Sequence, residues 1–134
     1  MQAASGASLI AATERFAAQI VPRHVAMAVM VKLDRISPVP CVLREHAEPT
    51  AALLVLPATG RYAACDPRVE VRTGRGGWLA LPPSHGLRWD TTPWVEPTSK
   101  PRELLHGGEV GRLLEQVLRY VKDRGDRRVG AAMW

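Results

Sequence analysis

Glu70 and Arg72 alternate with Val69 and Val71, so a strand at this point sets an acid and a base on one face. The run Gly74-Arg75-Gly76-Gly77 follows and reads as a hairpin-type turn, with Trp78-Leu79-Ala80-Leu81 as the returning strand. Backbone N–H groups exposed in a glycine-rich turn, with an arginine beside them, can cradle a phosphate. The same residues also describe a plain hairpin with a solvated Arg75 at its tip. Trp78, Trp89 and Trp94 offer aromatic faces on which nucleic-acid bases stack, or alternatively lids over an apolar core.

Little else in the chain has the spacing of a reactive site. His24, His46, His85 and His106 are scattered. His46 stands in Arg-Glu-His-Ala-Glu between Glu45 and Glu48, which reads as a solvated turn because no further ligand accompanies it. Cys41 and Cys65 lack CxxC spacing and read as reduced, apolar fillers. No GxSxG elbow, no phosphate-binding Walker loop and no HExxH pair occurs. The expectation is a binding or regulatory module with no metal and no cofactor, not an enzyme.

The elements that must position these residues follow from patterning. At 134 residues the chain suits one domain, here 1–124, with 125–134 as a tail. A hydrophobic fraction of 46% and a charged fraction of 23% exclude a disordered chain. Leu9, Phe16 and Ile20 predict a short helix over 8–21, and Ala- and Met-rich 24–37 predicts a second that ends before Pro38. Cys41–Arg44, Ala51–Leu56, Val69–Arg72 and Trp78–Leu81 predict strands. Residues 82–101, rich in proline, read as an ordered irregular loop. Val110, Leu113, Leu114, Val117, Leu118 and Val121 form the apolar stripe of a closing helix over 108–124. The fold class expected is α+β: a mostly antiparallel sheet of four or five strands, about 40–90, against N-terminal helices and a C-terminal amphipathic helix.

Charge narrows the partners. A net charge of +5 favours nucleic acid, nucleotides or an acidic protein face. The N-terminal stretch has no basic region ahead of its apolar residues, and Glu14 and Arg15 interrupt it, so no signal peptide is expected. No uncharged run reaches membrane-spanning length, so no membrane partner is expected and the expected compartment is the cytoplasm. The abundance of Ala, Arg, Gly and Pro is that of proteins from GC-rich bacterial genomes.

Val-Glu-Val-Arg-Thr-Gly-Arg-Gly-Gly-Trp-Leu-Ala-Leu-Pro-Pro-Ser, then Leu-Arg-Trp-Asp-Thr-Thr-Pro-Trp and a terminal amphipathic helix, resembles the later part of the bifunctional primase–polymerase N-terminal domain of the archaeo-eukaryotic primase superfamily. The similarity covers about residues 68–94. That family carries a hydrophobic–Asp–hydrophobic–Arg strand, a glycine turn, a strand ending in Pro-Pro-Ser, and an Arg-Trp or Tyr-Trp soon after. Glu70 stands where the family has a metal-binding aspartate, so the resemblance makes Glu70 a vestigial metal position. No Asp-x-Asp occurs anywhere, and the Ser-x-His motif is missing unless Arg44-Glu45-His46 is its remnant. Two-metal nucleotidyl transfer needs several converging carboxylates, which Glu70 alone does not supply. The resemblance therefore implies a degenerate, non-catalytic relative that binds nucleic acid or nucleotide through Arg72, Arg75, Gly76, Gly77, Trp78 and Arg88. The alternative is a protein-interaction adaptor that docks a partner through Trp89 and Trp94 in the Trp/Pro-rich segment 82–98.

Overall fold

A computed structural model describes residues 9–45, 49–63 and 66–132, with side chains as far as 121 in the last helix. His46, Glu48 and Cys65 therefore lie outside the described residues. The chain runs β1 (Leu9–Ala12), β2 (Ala17–Pro22), α1 (Arg23–Leu33), β3 (Cys41–Arg44), β4 (Thr50–Val55), a single 3-10 turn (Gly60–Tyr62), β5 (Glu70–Arg72), β6 (Trp78–Leu81), β7 (Leu87–Thr91), β8 (Trp94–Val95), β9 (Lys100–Pro101) and α2 (Gly107–Ala132). The class is α+β. Five strands form one antiparallel sheet in the order β5-β2-β4-β3-β7, while β1 with β6 and β8 with β9 form separate two-stranded ribbons.

The expected helix over 8–21 is replaced by β1 and β2. Ala17 and Ala18 are both fully buried, one on each side of the sheet, because β2 lies between β4 and β5. A central strand buried on both faces loses the alternation that would mark it, and tertiary pairing overrides the helix propensity of its alanines. The helix expected after Pro22 is present as α1. Pro22 has no N–H to lose at that start, and Val25, Ala26, Val29, Met30 and Leu33 face inward at helical spacing.

The glycine turn does not close a hairpin. Strand β5 pairs with β2 in the main sheet, whereas β6 pairs with β1, with Ala12 opposite Trp78 and Leu9 opposite Leu81. Gly74 and Gly76 adopt φ of 76° and 89°, left-handed conformations that carry the chain from one sheet to the other. Ser84, at the end of Pro-Pro-Ser, is buried and fixes β1: the Leu9 N–H donates to Ser84 Oγ at 2.7 Å. Nor is 82–101 irregular throughout, since it contains β7, which pairs with β3 at the sheet edge, and the β8–β9 ribbon.

Two apolar layers result. On one face α1 and α2 cover Ala17, Val21, Cys41, Leu43, Ala51, Leu53 and Val55, with Val110, Leu114, Val117 and Leu118 as the helix stripe. On the other, Ala18, Val42, Ala52 and Leu54 meet Leu79 of β6 together with Phe16, Leu81, Leu87 and Trp89. Helix α2 continues through Ala132, into the segment expected as a tail, and its 26 residues span about 39 Å. Among the described residues no helix is long and apolar enough to cross a membrane.

Candidate nucleic-acid interface

The helix-free face of the sheet is only partly covered by β6, and a groove of about 400 Å³ remains beside it. Its position follows from register. Glu70, Ile20, Ala52, Val42 and Trp89 are Cα partners in succession across all five strands, so they form one row on one face. The next row holds Thr50, Arg44 and Leu87. Ile20, Ala52 and Val42 make an apolar floor, and Glu70 with Arg72 stands at the β5 end. Arg44 with Thr50 stands toward β3, and Trp78, Leu79 and Ala80 form the overhanging edge. Glu70 and Arg44 arise on strands three spacings apart, about 14 Å.

Of the residues expected at the site, the groove gathers Glu70, Arg72 and Trp78. The Arg72 Nε donates to Glu70 Oε2 at 2.6 Å and its Nη1 donates to the Trp78 carbonyl at 3.2 Å. The same guanidinium lies 5.1 Å from the Trp78 ring centroid, a cation–π contact. Arg72 is therefore committed to holding Trp78 and Glu70 in place. Trp78 keeps 51% of its surface exposed, large for a tryptophan, so about half of the residue faces solvent.

Arg75, Gly76 and Gly77 stand beside the groove without lining it. Arg75 and Gly76 are exposed, and the turn is pinned at both ends by the buried Thr13. Thr13 Oγ1 donates to the Gly74 carbonyl at 3.0 Å, and the Thr13 N–H donates to the Gly77 carbonyl at 3.1 Å. A Cβ on Gly77 would fall 2.1 Å from Thr13 Oγ1, which explains the glycine. Arg88 is not part of the set. It is the register partner of Leu43, on the helix-covered face, and its Nε is ion-paired with Glu45.

Trp89 and Trp94 pack edge to face at 6.2 Å, both half-buried, and Trp94 Nε1 donates to Glu96 Oε1 at 2.5 Å. Arg44, named from the sequence only in β3 and in the Arg44-Glu45-His46 remnant, is a further charged residue of the groove. Its signal is faint: the last side chain of Cys-Val-Leu-Arg must share a face with Val42.

Among the described residues no three His, Cys, Asp or Glu come together in a way that could hold a metal ion. Burial foremost, then the nearby Asp90, pushes the Cys41 thiol up to about 12. A larger cleft, about 570 Å³, lies on the helix side between Tyr62 and α2. Its charges largely answer one another: Arg68 clasps Asp66 through two nitrogens and also reaches the Leu118 carbonyl, while Arg119 pairs with Glu115. The Asp66 hydrogen bond holds the Arg68 guanidinium above its ordinary pKa.

No protein-family model, no curated protein and no solved structure matches the chain.

Proposed function

We propose that this protein is a non-catalytic, primase–polymerase-like module that binds single-stranded nucleic acid, seating a base in the groove against Trp78. The observation that carries the reading is Trp78, half-exposed at the rim of a helix-free sheet face with Arg72 laid against its ring. Base–aromatic stacking is worth about 1–3 kcal/mol per base, and sheets with helices on one face and aromatics on the other are a recurring platform for single strands. The groove's size, about 400 Å³, suits one small planar group rather than a duplex. Arg44 inside the groove and Arg75 beside it supply cationic contacts for the flanking phosphates, in keeping with the net charge of +5.

The non-catalytic part of the proposal rests on Glu70. A cation, Arg72, occupies hydrogen-bonding distance of its carboxylate, in place of the second carboxylate that a paired-metal site requires. The segment 82–98 offers a protein partner less, because Trp89 and Trp94 pack edge to face on each other and Trp89 also packs against the second core layer.

Fluorescence anisotropy with labelled single-stranded DNA, repeated over a salt series, tests the reading. Binding weakens as salt rises, Arg75→Ala reduces the salt slope, and Arg72→Ala lowers affinity by releasing Trp78. Salt-independent binding, or a slope unchanged in Arg75→Ala, counts against it.

A further inference from the structure

We infer that Glu70 makes the groove selective for bases that carry an exocyclic amine, cytosine above uracil or thymine; the inference rests on the binding reading above. Glu70 is in line with the groove floor, the immediate register partner of Ile20, and is joined through it to Ala52 and Val42. A flat group lying on that floor therefore meets a carboxylate at its edge. Arg72 occupies Oε2 as the ion-pair partner of Glu70. The Glu70 side chain is 57% exposed, so capacity for further hydrogen bonds remains.

An ionised carboxylate only accepts hydrogen bonds. Cytosine offers it the N4 amine, the pairing by which acidic side chains read that base. Uracil and thymine present a carbonyl oxygen at the same position, and two facing acceptors repel. Discrimination thus comes from an unfavourable contact with the wrong base as well as a favourable one with the right base. The carboxylate also repels phosphate, which turns the backbone toward Arg44 and the base edge toward Glu70. The groove is polar along its length in that sense: an acceptor arises on β5 and a cation on β3, strands about 14 Å apart.

The test compares oligo-dC, oligo-dU and oligo-dT of equal length at neutral pH and one salt concentration, with wild-type protein and with Glu70→Gln. Cytosine and uracil differ at the position Glu70 reads but stack similarly, and thymine separates the methyl group from the carbonyl. Oligo-dC is expected to bind about ten-fold more tightly than oligo-dU and oligo-dT. In Glu70→Gln, whose amide both donates and accepts, the preference collapses to within about two-fold while thermal stability stays near wild type, the Glu70–Arg72 pair being solvent-exposed. Equal binding of all three oligomers by the wild type overturns the inference and leaves the binding reading standing. A cytosine preference that survives in Glu70→Gln overturns it as well. Binding of none overturns both.

Discussion

Replacing Gly107 by alanine separates a packing constraint from a helix-propensity effect. Gly107 opens α2, where its N–H donates to Thr59 Oγ1 at 2.8 Å and its carbonyl accepts from Gln19 Nε2 at 3.0 Å. A Cβ there would lie 2.0 Å from the Thr59 carbonyl oxygen and 2.9 Å from Gln19 Nε2. The obstacle at 2.0 Å is backbone, so the helix start must move by more than 1 Å, roughly, to reach van der Waals distance. That movement strains packing by about 1–3 kcal/mol and loosens two hydrogen bonds worth about 1 kcal/mol each. Against this stands a propensity gain of at most about 1 kcal/mol. The net loss is about 2–4 kcal/mol, which for a domain of this size lowers the unfolding midpoint by about 10 °C. Gly108→Ala is the matched control, because its Cβ would meet side chains and no backbone, His106 at 3.0 Å and Tyr62 Cβ at 3.7 Å. Thermal unfolding followed by circular dichroism reads both. If Gly107→Ala melts within a degree or two of Gly108→Ala, the close approach of α2 to the 59–62 turn is wrongly described.

Three further outcomes are expected. Leu114 and Leu118 are 0% and 2% exposed, so truncating either to alanine costs about 2–5 kcal/mol in urea unfolding, while exposed Arg112→Ala changes little. The Cys41 thiol, ordinarily near 9.0, is raised to about 12 in the fold; its contribution is complete below pH 9 and is lost as pH rises toward 12. The wild type should therefore lose stability across that window more steeply than Cys41→Val, by up to about 1.4 kcal/mol per pH unit, and parallel curves would contradict the assignment. Primer-extension and primer-synthesis assays with Mg²⁺ or Mn²⁺ should yield no product, and template-dependent product lost in Glu70→Ala would refute the non-catalytic reading.

What the sequence disclosed and what it hid have physical causes. Helix α2 and the shared face of Glu70 and Arg72 follow from local periodicity, α1 from its Ala- and Met-rich composition and length, and β3 and β4 from apolar runs between turns; the buried Val110, Leu114, Val117 and Leu118 match the apolar stripe. Strand β2 was hidden because burial on both faces erases alternation and leaves an alanine-rich run. The partner of β6 was hidden for a different reason. A glycine turn fixes how the chain bends but not which strand it meets next, and here β5 and β6 part company across Gly74 and Gly76. Strand β7 sits between prolines that bound it instead of interrupting it. Arg88 fell away from the candidate site for want of register: one residue's shift from Leu87 puts it on the opposite face. Arg44 entered for the same reason, since only the pairing of β3 with β4 and β7 brings it to the groove.

The most direct test of the account is a residue-resolved NMR titration of the protein with short single-stranded DNA. The account predicts shifts concentrated on Ile20, Val42, Ala52, Arg72 and the Trp78 indole N–H, with the helix-covered face unmoved. Saturating addition that shifts none of these, or that moves the Trp89–Trp94 segment alone, would contradict it.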